Sequence, residues 1–149
     1  IGALKDNGRG ITGIAPEADI MPIRVLDSFG SGTFLNVSKG IRYAASMGAK
    51  IINLSLGAAA SSLPSSDMNL LTSAVQFARE LGAIVVAAAG NSYGDIFNQV
   101  PARFDNVISV GALRHPYDTS YGSGSLGKAS FSSFGEELDF MAVNRTPKP

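Results

Sequence analysis

The chain has 149 residues, 45% of them hydrophobic and 16% charged, and 12 Lys and Arg balance 12 Asp and Glu. That composition excludes a disordered polypeptide and offers no basic footprint for a nucleic acid or an anionic membrane. With no cysteine there is no disulfide and no thiolate metal site, and no apolar run is long enough to span a bilayer. The length suits one modest domain. The opening Ile1-Gly2-Ala3-Leu4 has neither a Met nor a basic leader and reads like the interior of a longer protein.

Residues 1–4 are expected to be the last turn of a helix. Residues 5–10 (KDNGRG) read as a turn with two glycines free to take positive φ. Asp6 and Asn7 there are either part of a solvated turn or oxygen donors for calcium. Residues 18–26 (ADIMPIRVL) read as a strand in which Pro22 demands an edge, a bulge or a place needing no donor. After a loop at 27–32 (DSFGSG), Thr33 can cap a helix with Phe34, Val37, Ile41, Ala44 and Ala45 on its apolar face, ended by Gly48. Residues 50–56 (KIINLSL) read as a second strand, closed by Gly57. A Ser-rich loop leads to Asp67 as the expected cap of a second helix, with Met68, Leu71, Val75 and Ala78 as its stripe and Gly82 as its end.

The stretch 84–91 (IVVAAAGN) then organises the rest. Its apolar run reads as a strand buried on both faces, as in a parallel sheet. The residues shrink to Ala-Ala-Ala-Gly and stop at Asn91, an amide at the carboxyl end of a strand, where open α/β sheets place their ligands. Helix, Gly-Ala, strand and Gly occur in that order twice, through Gly48 and Gly57 and through Gly82 and Gly90. Two such units read as βαβ crossovers, hence a mostly parallel sheet with covering helices. Residues 94–106 read as a loop and 107–113 (VISVGAL) as a further strand. Residues 115–128 are polar and Gly-rich. Residues 129–142 (ASFSSFGEELDFMA) hold two short strand-like pieces around a turn, and 143–149 form an unassigned tail.

Six segments in order carry a resemblance: GITGIAPEADIMPIRVLD, GSGTF, INLSLG, VVAAAGN, VISVGA and ASFSSFGEELDFMA. Through them residues 1–142 resemble the subtilisin-like serine proteases, the subtilases. The resemblance implies an incomplete three-layer αβα fold with a mostly parallel sheet. It also implies a serine endopeptidase of the Ser-His-Asp kind. In the family the Asn of the AAAGN motif serves the oxyanion hole, and that residue here is Asn91. An extended peptide substrate lies between two backbone segments, which match Gly30, Ser31 and Gly32 on one side and Ser55, Leu56 and Gly57 on the other. Ala88, Ala89 and Gly90 match one wall of the main specificity pocket, and a wall so small suits a sizeable apolar side chain. Pro101 matches a proline that is cis in well-known members, although trans is the default from sequence. No cofactor is required, calcium is a structural ion of some members, and secretion is the family habit.

The triad is expected outside this chain, with Asp and His in missing N-terminal parts of the same domain and Ser in a missing C-terminal part. The family continues Met-Ala with Pro-Gly, whereas Met141-Ala142 is followed here by Val143-Asn144. The chain alone is therefore expected to be inactive, marginally stable and prone to associate. His115, the one histidine, reads as a surface residue, and Asp27 in Val25-Leu26-Asp27-Ser28 as a mimic of the catalytic Asp motif. Gly122, Gly124 and Gly127 match G-x-G-x-x-G without the strand and helix that a nucleotide site needs. Asn36, Asn53 and Asn144 begin N-x-S/T sequons, Asn53 within an expected buried strand. The alternative function is a non-catalytic subtilase-like module that binds extended peptides.

Overall fold

Thr33 and Gly48 bound the first helix through their own chemistry. In the computed structural model, which describes residues 1–114 and 127–143, α1 spans Phe34–Ser46, and the Thr33 hydroxyl accepts the Asn36 N–H at 3.2 Å. The second helix, α2, spans Ser65–Glu80. It begins two residues before the expected Asp67 cap because Pro64, with φ fixed at −60° and no N–H to orphan, takes the cap position. Asp67 instead sits in the first turn, where a carboxylate faces the positive end of the helix dipole.

The repeated Gly-Ala pair has one structural meaning at both sites. Gly48 (φ +85°) and Gly82 (φ +80°) take the left-handed conformation. Their N–H groups bond the carbonyls of Ala45 and Arg79, and the following Ala49 and Ala83 reach back to Ala44 and Ala78. This double bond is the Schellman closure, which satisfies the last carbonyls and turns the chain into a strand.

The strands are β1 (Ile51–Leu54), β2 (Ala58–Ala59), β3 (Ile84–Ala88), β4 (Gln99–Val100), β5 (Val107–Arg114), β6 (Gly127–Lys128) and β7 (Phe140–Val143). The main sheet runs β1-β3-β5-β6 with β7 also on β5. Its pairings β1–β3, β3–β5 and β5–β7 are parallel and only β5–β6 is antiparallel, so the mostly parallel sheet is observed. The separate β2–β4 ladder is antiparallel and lies within segments read as loop, because Ala-Ala and Gln-Val are too short to show a period.

Burial corrects one expectation. The register aligns Ile52 with Val85 and Leu54 with Ala87, and these four are buried against Val37 and Ile41 of α1 and Leu71, Ala74, Val75 and Ala78 of α2. The alternate residues face the other way, and Ile51 and Ile84 are 66% and 51% exposed. The strand expected to be buried on both faces is thus buried on one. Both helices share one core with the same face of the sheet, so the described residues supply two layers of the three-layer sandwich.

Other expectations also change. Residues 18–26 form no strand, since a strand exists only through a partner and none of the described strands pairs with them; Ile23 and Val25 still pack against the core. Residues 1–4 are not helical. Residues 5–10 are the expected turn, with Gly8 and Gly10 at positive φ and Asn7 Oδ1 accepting the Arg9 N–H. Of the two pieces expected in 129–142, only the second is a strand, while the first contributes one bridge from Phe134 to Asp95. The Val100–Pro101 bond is cis, against the sequence default.

A buried serine ties β5 to the chain before β7. Ser109 is fully buried; its N–H donates to Asp139 Oδ2 at 2.8 Å, and its hydroxyl accepts the Asp139 N–H at 2.9 Å. The same hydroxyl lies 2.8 Å from Oδ2 and 3.0 Å from the Glu137 carbonyl, its acceptors. Ser38 is the opposite case: on the buried face of α1, its hydroxyl has no partner among the described residues. Ser38→Ala removes that unpaired group and improves helix propensity. It is expected to stabilise the chain by about 1 kcal/mol, or roughly 2–4 °C in a thermal melt. A lower melting temperature would show that the hydroxyl is satisfied.

Candidate functional site

The parallel register brings two strand ends together. Leu54 pairs with Ala87, so Ser55–Gly57 and Ala88–Asn91 leave the sheet side by side at its carboxyl edge. Gly30, Ser31 and Gly32 meet Ser55, Leu56 and Gly57 across one cleft of about 360 Å³, joined by Leu26 and Phe34. The two segments matched to a substrate channel are thus brought face to face.

Local chemistry makes these segments what they are. The Asp27 carboxylate accepts the N–H groups of Phe29 and Ser31, both at 2.9 Å, and its own N–H donates to the Ser31 carbonyl. With Gly30 at φ +76°, this closes a tight loop that presents Ser31 and Gly32 to the cleft. Asp27 is therefore a loop former, and the signal for it, an Asp three residues before a Gly, is in the sequence. At Gly57 an added Cβ would lie 2.8 Å from the Val100 carbonyl, so backbone runs against backbone there.

Ala88, Ala89, Gly90 and Asn91 line a second cleft of about 300 Å³, facing Val110, Ala112, Phe131 and Ala142. Gly90 is required by its φ of +94°, and a Cβ there would also push aside the end of the Gln99 side chain, whose Oε1 would lie 2.7 Å away. The Gln99 amide in turn donates to the Ser92 hydroxyl at 2.9 Å. Sequence reading missed Gln99, because its partners lie seven and nine residues away with no pattern linking them. The Ala89 N–H bonds Val110, and the Gly90 carbonyl accepts the Ser133 N–H. Asn91 itself is exposed, and its side chain makes no hydrogen bond among the described residues. An exposed amide with no protein partner can exchange water for a ligand.

The remaining candidates gain no support as site residues. Asn36 lies in the first turn of α1, and the serine of its sequon, Ser38, is buried. Asn53, expected in a buried strand, is exposed on the uncovered face and donates to the Ser55 hydroxyl at 3.0 Å. Gly127 lies in antiparallel β6 rather than at a helix start, which removes the support for a dinucleotide site. His115, Gly122, Gly124 and Asn144 lie outside the described residues. Asp6 has Lys5 as its ion-pair partner at 3.8 Å, both exposed. Among the described residues no three His, Asp or Glu gather into a metal site, and no helix is long and apolar enough to cross a membrane.

Comparison with known proteins gives the family. The model of the Subtilase family matches residues 1–145. Thermitase of Thermoactinomyces vulgaris is 40% identical over 140 residues, which cover 94% of this chain and 44% of thermitase. Subtilisin DY of Bacillus licheniformis is 40% identical over 144 residues, covering 94% and 47%. A protease structure from Pseudoalteromonas arctica superposes with a TM-score of 0.79 at 29% identity, over 99% of this chain and 42% of that one. The chain thus spans less than half the length of these relatives. With the family model matched over nearly the whole length and a mostly parallel sheet beneath two helices, the chain belongs to the subtilase family.

Proposed function

We propose that the chain is part of a serine endopeptidase that cleaves peptide or protein substrates bound in extended form. In this reading Asn91 donates to the oxyanion that develops on the scissile carbonyl. Gly30–Gly32 and Ser55–Gly57 add main-chain hydrogen bonds to either side of the substrate strand, and Ala88–Gly90 wall the pocket for its principal side chain. The observation that carries it is the convergence of a two-sided cleft and an exposed amide with no protein partner at one carboxyl edge.

The chain's own residues bind and orient the substrate and stabilise charge. The nucleophile, base and orienting Asp come from the rest of the domain, so residues 1–142 alone are proposed to be inactive. No cofactor enters this chemistry, and secretion belongs to the proposal on family grounds. The test is peptide hydrolysis by the full-length protein, compared with its Asn91→Ala variant. A full-length protein that binds extended peptides but never cleaves them would favour the non-catalytic alternative.

A further inference from the structure

An oxyanion donor works only if its loop holds still, and the Asn91 side chain makes no hydrogen bond among the described residues. Its position depends on how residues 90–94 are held. Three main-chain bonds join them to residues 131–134: Ser133 to Gly90, Tyr93 to Phe131 and Phe134 to Gly94, each at 3.0 Å. The Ser92 and Ser133 hydroxyls meet across the same seam at 3.3 Å. Tyr93, two residues after Asn91, sits at φ +51°, a conformation a bulky residue keeps only when its surroundings impose it.

One cation spans this seam. Lys128 Nζ donates to the carbonyls of Ser132 at 2.9 Å and Ala129 at 3.1 Å. It also stands 4.3 Å from the centre of the Tyr93 ring and 5.3 Å from that of Phe134. The two rings meet edge to face with centres 5.7 Å apart. Tyr93 belongs to the loop of Asn91, and Ser132 and Phe134 to the opposing segment, so one half-buried ammonium bonds both. No carboxylate lies within ion-pair distance of it among the described residues. Its charge is directed at carbonyls and ring faces instead, where partial desolvation strengthens the attraction.

We propose that Lys128 is a positioning residue for Asn91: its ammonium clamps residues 131–134 and the strained Tyr93 together and so fixes the loop that aims the oxyanion donor. The proposal rests on the protease reading, and its test separates the two. In the full-length protein, Lys128→Met keeps the stem and loses the charge. It is expected to lower kcat about tenfold with KM within about twofold, since a small displacement of a preorganised group costs rate rather than binding. Lys128→Arg, which can still donate to both carbonyls and stack on the rings, is expected to restore most of kcat. Tyr93→Leu, which keeps the carbonyl bonds and loses one ring, is expected to fall between. Amide hydrogen exchange at Tyr93 and Ser133 is read on the same samples. Faster exchange in Lys128→Met and recovery in Lys128→Arg would support the clamp even in a protein that never cleaves. Unchanged exchange in Lys128→Met, or equal loss of kcat in Lys128→Met and Lys128→Arg, would overturn it.

Discussion

Asn91→Ala in the full-length protein is expected to lower kcat by about 10²–10³ with KM changed far less, a magnitude carried over from loss of the corresponding amide in a member of the same family. The physical reason is visible in this chain. Asn91 has no internal hydrogen bond among the described residues to give up, so its amide is available in full to an incoming oxygen. A neutral donor held on a backbone that is bonded on both flanks, at Gly90 to Ser133 before it and at Tyr93 to Phe131 after it, loses little on reorganisation. Its interaction grows as the substrate carbonyl becomes an oxyanion, so removing it raises the barrier more than it weakens binding. Because Asn91 is exposed and lies outside the buried core, the variant is expected to melt like the parent. A variant with parental kcat would remove Asn91 from the oxyanion hole. A raised KM at constant kcat would make it a substrate contact only.

Leu71→Ala is expected to destabilise the 149-residue chain by about 2.7–5 kcal/mol, the range for truncating a leucine in a closed core. Leu71 is fully buried on α2 and belongs to the cluster that joins α1, α2 and the sheet. The chain has little reserve. The sheet face away from the helices leaves Ile51, Ile84 and Phe140 at 66%, 51% and 62% exposure. That area contributes nothing to folding and favours association. Natural domains hold only about 5–15 kcal/mol in total, and one covered on a single face holds less. Circular dichroism at 25 °C should therefore show Leu71→Ala largely unfolded where the parent is folded. A cooperative melt within a few degrees of the parent would show that the core closes around the cavity.

Much of this was legible because local chemistry and tertiary structure agree. Thr33 and the Gly48-Ala49 and Gly82-Ala83 pairs mark helix limits by bonds that the backbone needs anywhere. The apolar runs at Ile52, Val85 and Val107 place the parallel strands. Asn91 was legible as an amide at the carboxyl end of a strand, but its proposed role and the two segments proposed to hold substrate came only through the family resemblance, since nothing in Gly-Ser-Gly or Ser-Leu-Gly says that they will face each other. What stayed hidden depends on partners. Whether residues 18–26 make a strand is decided by what lies beside them. Whether Ile84 is buried is decided by which face the helices choose, and an apolar run does not encode that. The bonds of Lys128 and Gln99 join residues of no regular spacing, so only the folded chain brings them into view.

The most direct measurement is a structure of the full-length protein with a peptide aldehyde bound. The expected result is an extended peptide between Gly30–Gly32 and Ser55–Gly57, with the tetrahedral oxygen about 3 Å from Asn91 Nδ2. A peptide bound away from the carboxyl edge of β1 and β3, or an oxygen beyond reach of Asn91, would contradict the assignment of this edge as the site of proteolysis.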